Sequence, residues 1–147
     1  MRSRIHAVVL PSEVGEFADE VRKIFQELGS FGGTSIEECS PPLDVHETDE
    51  AMAITVDLPG VEASAIRLIV KGQALLIAGE KAPRRGRANS SFHLVERGYG
   101  RFARSVRLTI PCDTGRAHAT LARGELRITL PKIAERRGRP ISIPVGN

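Results

Sequence analysis

The stretch "AMAITVDL" (residues 51 to 58) alternates large apolar residues with smaller or polar ones. The large apolar residues are Met52, Ile54, Val56 and Leu58. Because successive side chains of a β-strand point to opposite faces, this period of two predicts a strand with one buried face. We therefore expect a β-sheet fold that extends outward from this stretch.

The period of two begins at Leu43 and continues toward the C-terminus. Further strands are predicted from the same alternation at "AIRLIV" (65 to 70), "RFARSVRL" (101 to 108) and "ELRITL" (125 to 130), and from a short apolar run at "ALLIAGEK" (74 to 81). Turn signals rich in Gly, Pro and Asp separate them. Many short strands without a second helical pattern predict an all-β fold, an antiparallel β-sandwich.

The one helical pattern lies near the N-terminus, at "SEVGEFADEVRKIFQEL" (12 to 28), where Ser12 can cap the start and Gly29 the end. Its apolar stripe, at spacings of three and four, consists of Val14, Phe17, Ala18, Val21, Ile24, Phe25 and Leu28. A linker rich in Gly, Ser and Pro follows. We therefore expect an amphipathic helix whose stripe has no neighbouring helix to cover it.

These patterns divide the chain into an N-terminal arm (1–40), a sandwich domain (41–132) and a flexible C-terminal extension (133–147). The extension ends with Ile141 and Ile143, one residue apart and bounded by prolines. In an extended backbone both isoleucines project to the same side and form an apolar plug. The plug is interpreted either as part of a frayed tail or last edge strand, or as a strand donated to another subunit.

Composition sets limits on the class of protein. The 147 residues suffice for one domain with appendages, and the slight excess of 21 basic over 18 acidic residues does not by itself imply a polyanionic partner. The two cysteines, Cys39 and Cys112, lie far apart and suit neither a disulfide framework nor a metal site. A cytoplasmic protein with free thiols is predicted, with no signal peptide and no membrane span.

Catalytic groups do not converge in the sequence. The four histidines lack metal-ligand spacing, no phosphate-binding glycine loop is present, and a Cys112–His118 dyad is disfavoured. The arginine runs at 83–87 and 135–139 have no interleaved aromatic residues, which favours solvated linkers over nucleic-acid binding. We predict neither an enzyme nor a cofactor, a metal or a nucleic-acid partner.

Two features point to contacts between subunits. The connection from Lys81 to Gly100 is long, and the apolar alternation near its end, at Phe92, suggests a strand that pairs outside its own sheet. Arg104 lies by period on the buried face of its strand, where a charge is costly unless paired. Either its head group reaches water at an edge, or it forms an ion pair across an interface, for which Glu96 is the candidate.

Five short motifs follow one another along the chain. They are "VDLPGV" (56 to 61), "HLVERGYGRFARSVRL" (93 to 108), "ATLARGEL" (119 to 126), "TLPK" (129 to 132) and "ISI" (141 to 143). In this order they resemble the motifs of small heat-shock proteins of the bacterial and plant form, with an α-crystallin-type domain. The chain departs from the family at Arg123, where Asn is usual, and at Glu125, where an apolar residue is preferred.

The resemblance implies an immunoglobulin-like sandwich and an ATP-independent chaperone, a holdase that keeps partly unfolded clients from aggregating and works as a dynamic homo-oligomer of dimers. The implied site residues fall into four groups: the tail motif Ile141 and Ile143; the tail-docking groove Leu68, Val70, Ala119 and Leu121; the dimer interface Phe92, Glu96 and Arg104; and the client-binding stripe Phe17, Val21, Ile24, Phe25 and Leu28. The alternative from another class is a co-chaperone or adaptor on the same sandwich, which recruits specific folded partners.

Overall fold

Within residues 14–28, 39–83, 86–133 and 142–146, which the computed structural model describes, seven strands form two antiparallel sheets. The strands are β1 (Leu43–Glu47), β2 (Ala51–Asp57), β3 (Ile66–Lys71), β4 (Ala74–Lys81), β5 (Gly100–Arg107), β6 (His118–Ala122) and β7 (Glu125–Pro131). Short 3₁₀ turns occur at Gly15–Phe17, Ala63–Ala65 and Thr114–Arg116. The predicted antiparallel sandwich is confirmed.

The strand order is β1-β2-β7-β6 in one sheet and β3-β4-β5 in the other. Ile54 in β2 is paired with Val45 in β1 and with Ile128 in β7, so the apolar positions of these strands share one face. Strand β6 was absent from the predicted set because four of its five residues are exposed, which leaves no apolar alternation to detect.

The main core lies between the two sheets. Its residues are Met52, Ile54, Val56, Leu58, Val61, Leu75, Ile77, Phe102, Val106, Leu108, Leu126, Ile128 and Leu130. Gly79 in β4 lets the Ala65 backbone and the Phe102 ring lie close to this strand. A Cβ at position 79 would lie 2.2 Å from the Ala65 carbonyl oxygen and 2.7 Å from the Phe102 ring. The apolar alternation of the sequence therefore identified the inner faces of the sandwich.

The helix α1 (Ala18–Leu28) packs on the outer face of the three-stranded sheet. Phe17 and Ile24 are buried there against Leu76 and its neighbours. The described residues contain no second helix over this stripe, as expected, but the implied uncovered apolar face is wrong, because the sheet covers it. Every residue from Ala74 to Glu80 is buried, so β4 has two buried faces. The proposed capping residues Ser12 and Gly29 lie outside the described residues.

Two of the sequence motifs meet at one end of the sandwich. The two-residue turn between β6 and β7 has positive φ at both Arg123 (55°) and Gly124 (78°), as a type I′ hairpin turn requires. The Leu58 amide donates to the Gly124 carbonyl at 2.7 Å, and a Cβ at Gly124 would lie 3.2 Å from Pro59 Cα. The turn thus packs against the Pro-Gly turn that follows β2.

Candidate functional site

The four residues expected to form a tail-docking groove lie on edge strands. Leu68 and Val70 belong to β3, at the end of one sheet, and Ala119 and Leu121 belong to β6, at the end of the other. Leu68, Val70 and Leu121 are half-buried and pack against the same main core, whereas Ala119 is exposed. The structure thus brings three of the four to one core cluster, on strands with one unpaired edge each.

The tail motif is described only in part. Ile143 is 81% exposed, and Ile141 lies outside the described residues. Docking of this motif in a groove therefore stays a prediction.

A cavity of about 200 Å³ lies at one end of the sandwich, beyond the end of β3. It is lined by Gly72, Gln73, Leu108, Thr109, Ile110, Pro111, Cys112, Thr114 and Ile133. None of the predicted groove residues lines it. Among the described residues that line it, the Cys112 thiol is the one titratable group.

The long connection leaves apolar side chains in solvent. Residues 86 to 99 contain no strand in the described part of the chain, and Phe92 is 64% exposed. Leu94, Val95 and Glu96 are exposed as well. On the four-stranded sheet, β1 is an edge strand whose residues from Asp44 to Glu47 are all exposed. Within the described residues, an exposed apolar segment and the edge strand β1 therefore occur in the same chain.

Arg104 has a partner within its own chain that the sequence did not reveal. Its Nη1 donates to the Pro41 carbonyl oxygen at 2.8 Å, and the Cys39 amide donates to the Arg101 carbonyl oxygen at 2.9 Å. Residues 39 to 41 thus lie beside β5 and cover part of its edge. The side chain is half-buried, which fits an edge position. An ion pair with Glu96 across an interface stays a prediction.

Charged groups surround the contact between α1 and the sheet. Lys71 Nζ donates to Glu20 Oε1 at 2.8 Å and lies 5.1 Å from the centre of the Phe17 ring. The hydrogen bond from Lys71 lowers the pKa of Glu20. Arg67 Nε lies 3.9 Å from Glu27 Oε2. Sequence reasoning missed both cations, since nothing local in the sequence relates β3 to the helix.

Phe25 and Arg101 form a second kind of contact at this interface. The Arg101 guanidinium carbon lies 5.2 Å from the centre of the Phe25 ring, within the range of a cation–π interaction. Of the five residues expected to bind clients, Phe17 and Ile24 are buried, and Val21, Phe25 and Leu28 are half-buried. The whole predicted client-binding stripe is therefore engaged with the sheet.

Glu80 is a buried carboxylate on the same sheet, 9% exposed. Arg101 Nε lies 3.9 Å from Glu80 Oε1, which has no hydrogen-bond partner among the described residues. Burial raises the pKa of Glu80, and the nearby charge of Arg101 offsets part of that rise. An ionised group at this position is therefore only partly compensated.

The two cysteines are free thiols. Burial raises the pKa of both Cys39 and Cys112 above the ordinary value. A raised pKa lowers the thiolate fraction at neutral pH and with it the reactivity.

In the described ranges no cluster of three or more His, Cys, Asp or Glu side chains is placed to hold a metal ion. The same ranges contain no helix of the length and apolarity that a membrane span requires.

Comparisons with known proteins agree with this geometry. The model of the Hsp20/alpha crystallin family matches residues 44–146. Small heat shock protein C2 of Rickettsia felis is 31% identical over 121 residues, which cover 81% of this chain and 79% of that protein. The 16.9 kDa class I heat shock protein 1 of Triticum aestivum is 31% identical over 115 residues, covering 78% of this chain and 76% of that protein.

Two solved structures share the fold. Heat shock protein 16.0 from Schizosaccharomyces pombe superposes with a TM-score of 0.64 at 29% identity, covering 74% of this chain and 99% of that one. A small heat-shock protein from Xylella fastidiosa superposes with a TM-score of 0.60 at 32% identity, covering 73% of this chain and 96% of that one.

Proposed function

The chain belongs to the Hsp20/alpha-crystallin family of small heat shock chaperones, and on that premise we propose that it is an ATP-independent holdase. Unfolding clients expose apolar surface, whose burial is favourable by about 25 cal/mol per Å². A holdase needs apolar surface that can be presented to clients and otherwise stays covered. The helix α1 and the outer sheet face bury apolar surface of this kind against each other, and this contact is the observation that carries the proposal.

The cover over this surface is suited to reversible release. Phe17, in the turn before α1, and Ile24 within α1 are held by apolar burial, while the ion pairs around them involve partly exposed side chains and are individually weak. The main core between the sheets contains no residue of α1. Heat can therefore detach the helix and expose its stripe of Phe17, Val21, Ile24, Phe25 and Leu28 to clients while the sandwich stays folded.

We propose a dimer built by exchange of the long connection between two copies. Phe92 would be its apolar anchor, and the exposed edge of β1 offers unpaired backbone groups to an added strand. Glu96 and Arg104 are proposed as an ion pair across the same interface. The Pro41 carbonyl already holds the Arg104 head group at the β5 edge, which favours that position for the pair.

Tail docking is proposed to join dimers into a larger, dynamic homo-oligomer. Ile141 and Ile143 would enter the groove of Leu68, Val70, Ala119 and Leu121 on a neighbouring subunit. Burial of each isoleucine contributes about 1.5 to 3 kcal/mol before the cost of ordering the tail is subtracted. The exposure of Ile143 in the single chain supports a binding partner outside it. A weak and reversible connection follows.

We place the protein in the cytoplasm and assign it no cofactor and no nucleic-acid partner. The free state of Cys39 and Cys112 supports a reducing compartment. The family consists of chaperones rather than enzymes, and the half-buried thiols, whose pKa values are raised, give no support to a catalytic role.

Holdase activity is tested by light scattering of a heated model client mixed with near-equal molar amounts of the protein, without nucleotide. The proposal predicts suppressed scattering relative to a serum-albumin control. Scattering equal to that control, with the protein itself still folded, would contradict the proposal and favour an adaptor role.

A further inference from the structure

The outer face of the three-stranded sheet has a distinct composition. The register of the strands places eleven side chains on it: Arg67, Ile69, Lys71, Ala74, Leu76, Ala78, Glu80, Arg101, Ala103, Ser105 and Arg107. The centre consists of Ile69, Ala74, Leu76, Ala78 and Ala103, which pack against α1. Three of these five residues are alanines, and their small side chains let a helix approach the sheet closely. Four cations and one carboxylate surround it.

The spacing of Arg67 and Lys71 along β3 matches the spacing of Glu27 and Glu20 along α1. Lys71 contacts Glu20 and Arg67 contacts Glu27, so α1 runs antiparallel to β3. Seven helical residues span about 10.5 Å, and four strand residues span about 13 Å. Long side chains bridge the difference. Two carboxylates placed two helical turns apart thus meet two cations placed four strand residues apart.

The segment on this face complements its charge. Residues 14–28 contain four acidic residues, Glu16, Asp19, Glu20 and Glu27, against two basic ones, Arg22 and Lys23. The two basic side chains are exposed, while Glu20 and Glu27 meet the cations of β3. The apolar stripe of the same segment covers the alanine-rich centre of the sheet face. The ligand chemistry that fits this face is therefore an acidic amphipathic helix.

We propose that this sheet face is itself a client-binding site, selective for acidic amphipathic segments, and that α1 is its built-in competitor; the inference rests on the proposed holdase function. When α1 detaches, the face offers apolar contact to the client, and Lys71, Arg67 and Arg101 select for carboxylates beside the apolar stripe. While α1 is docked, the apparent affinity for clients is lowered in proportion to the fraction of chains whose face is open.

The test uses the full chain with Ile24→Asp, which places a carboxylate in the apolar contact and detaches α1. The probe is a fluorescent peptide with the sequence of residues 14–28, and its matched control carries Glu20→Lys and Glu27→Lys. Fluorescence anisotropy at low salt is expected to show about tenfold tighter binding of the acidic peptide. Equal affinity of the two peptides would overturn the proposal.

Substitution of Arg67 and Lys71, two of the cations that surround the apolar centre, tests whether the peptide binds on this face. In the Ile24→Asp chain, Arg67→Glu with Lys71→Glu is expected to weaken binding of the acidic peptide about tenfold and to strengthen binding of the control peptide that carries Glu20→Lys and Glu27→Lys. Both substituted side chains are partly exposed, so the fold tolerates the change. Arg116→Glu with Arg127→Glu makes the same change in net charge outside the face and should leave both affinities unchanged. A loss of the same size in this control would refute the assignment.

Two further outcomes separate this inference from the function on which it rests. If the unmodified protein suppresses client aggregation but the peptides are not distinguished, only the inference fails. If it does not suppress aggregation, the proposed function fails, and the client role of the face fails with it. Crosslinking of α1 to β3 between copies as efficiently as within one copy would assign the face to assembly instead and overturn the proposal.

Discussion

Arg123 shows how a single departure from a family pattern acquires a structural meaning. The sequence identified this position only as one where the family usually has Asn. The structure adds that its φ is positive and that its turn packs on the Pro59 turn. A left-handed backbone is unfavourable for most side chains and is tolerated by Asn. Arg123 therefore occupies a conformation that its residue type disfavours.

Arg123→Asn should stabilise the protein by about 0.5 to 1 kcal/mol, because Asn-Gly suits a type I′ turn. The shift of the urea midpoint measures this change. Arg123→Lys keeps the unfavourable conformation and should leave the midpoint unchanged. A lower midpoint for the Asn variant would contradict this account of the turn.

Glu80 predicts a pH dependence of stability. Because burial raises its pKa in the folded state, the folded chain binds this proton more tightly than the unfolded chain. Its contribution to stability therefore falls as pH rises from the ordinary glutamate range through the raised pKa, and the loss persists at neutral pH. The Glu80 carboxylate is thus a source of instability beside the α1 contact.

Glu80→Gln removes the ionisation and should stabilise the protein by about 1 kcal/mol at neutral pH, with a smaller gain near pH 4. Urea unfolding of both proteins across this pH range measures the difference. Glu62→Gln, at an exposed carboxyl, is the matched control. A gain that does not depend on pH would show that the charge of Glu80 is not its cause.

At the scale of elements, the sequence predicted what depends on local alternation. The limits of β2, β3, β4, β5 and β7 lie within one residue of the predicted strands. In β2, β3, β5 and β7 the signal is apolar alternation with a period of two, whereas β4, which is buried on both faces, is a continuous apolar run. β6 was not predicted because four of its five residues are exposed. Local pattern therefore predicts a strand only where at least one of its faces is buried.

The helix was predicted but its position was not. Its stripe of Phe17, Val21, Ile24, Phe25 and Leu28 predicted an amphipathic helix, yet no local feature showed which surface it would meet. The continuous apolar run "ALLIA" (74 to 78) was the available sequence signal, since apolar residues on both faces of a strand require a cover on each side. The contacts of Lys71 with Glu20 and of Arg104 with Pro41 join residues far apart in sequence, which pattern cannot reveal.

Lys71→Glu should loosen α1 because it places a negative charge opposite Glu20. We expect client capture to begin at a lower temperature, measured by light scattering of a heated client. Combining Lys71→Glu with Glu20→Lys restores an opposite pair and should return the onset toward that of the unmodified protein. The Asp19–Arg22 pair lies within α1 and is exposed, so Asp19→Arg with Arg22→Asp should leave the onset unchanged. An unaltered onset in Lys71→Glu would refute the role of this pair.

At the scale of the whole molecule, the account predicts that the tail holds dimers together. Ile141→Ala with Ile143→Ala removes both large apolar side chains of the plug, and the particle should shrink to dimers in multi-angle light scattering. Ser142→Ala changes the residue that projects to the other side and should leave the mass unchanged. An unchanged mass in the double variant would contradict tail docking.

We propose above that α1 uncovers a client-binding surface while the sandwich stays folded. Amide hydrogen exchange of the unmodified protein, measured with rising temperature beside client capture, tests this step. We expect residues 18–28 to lose protection at the temperature where capture begins, while β2 and β7 remain protected. Capture that begins while α1 is still protected, or only when the sandwich itself loses protection, would refute the proposal.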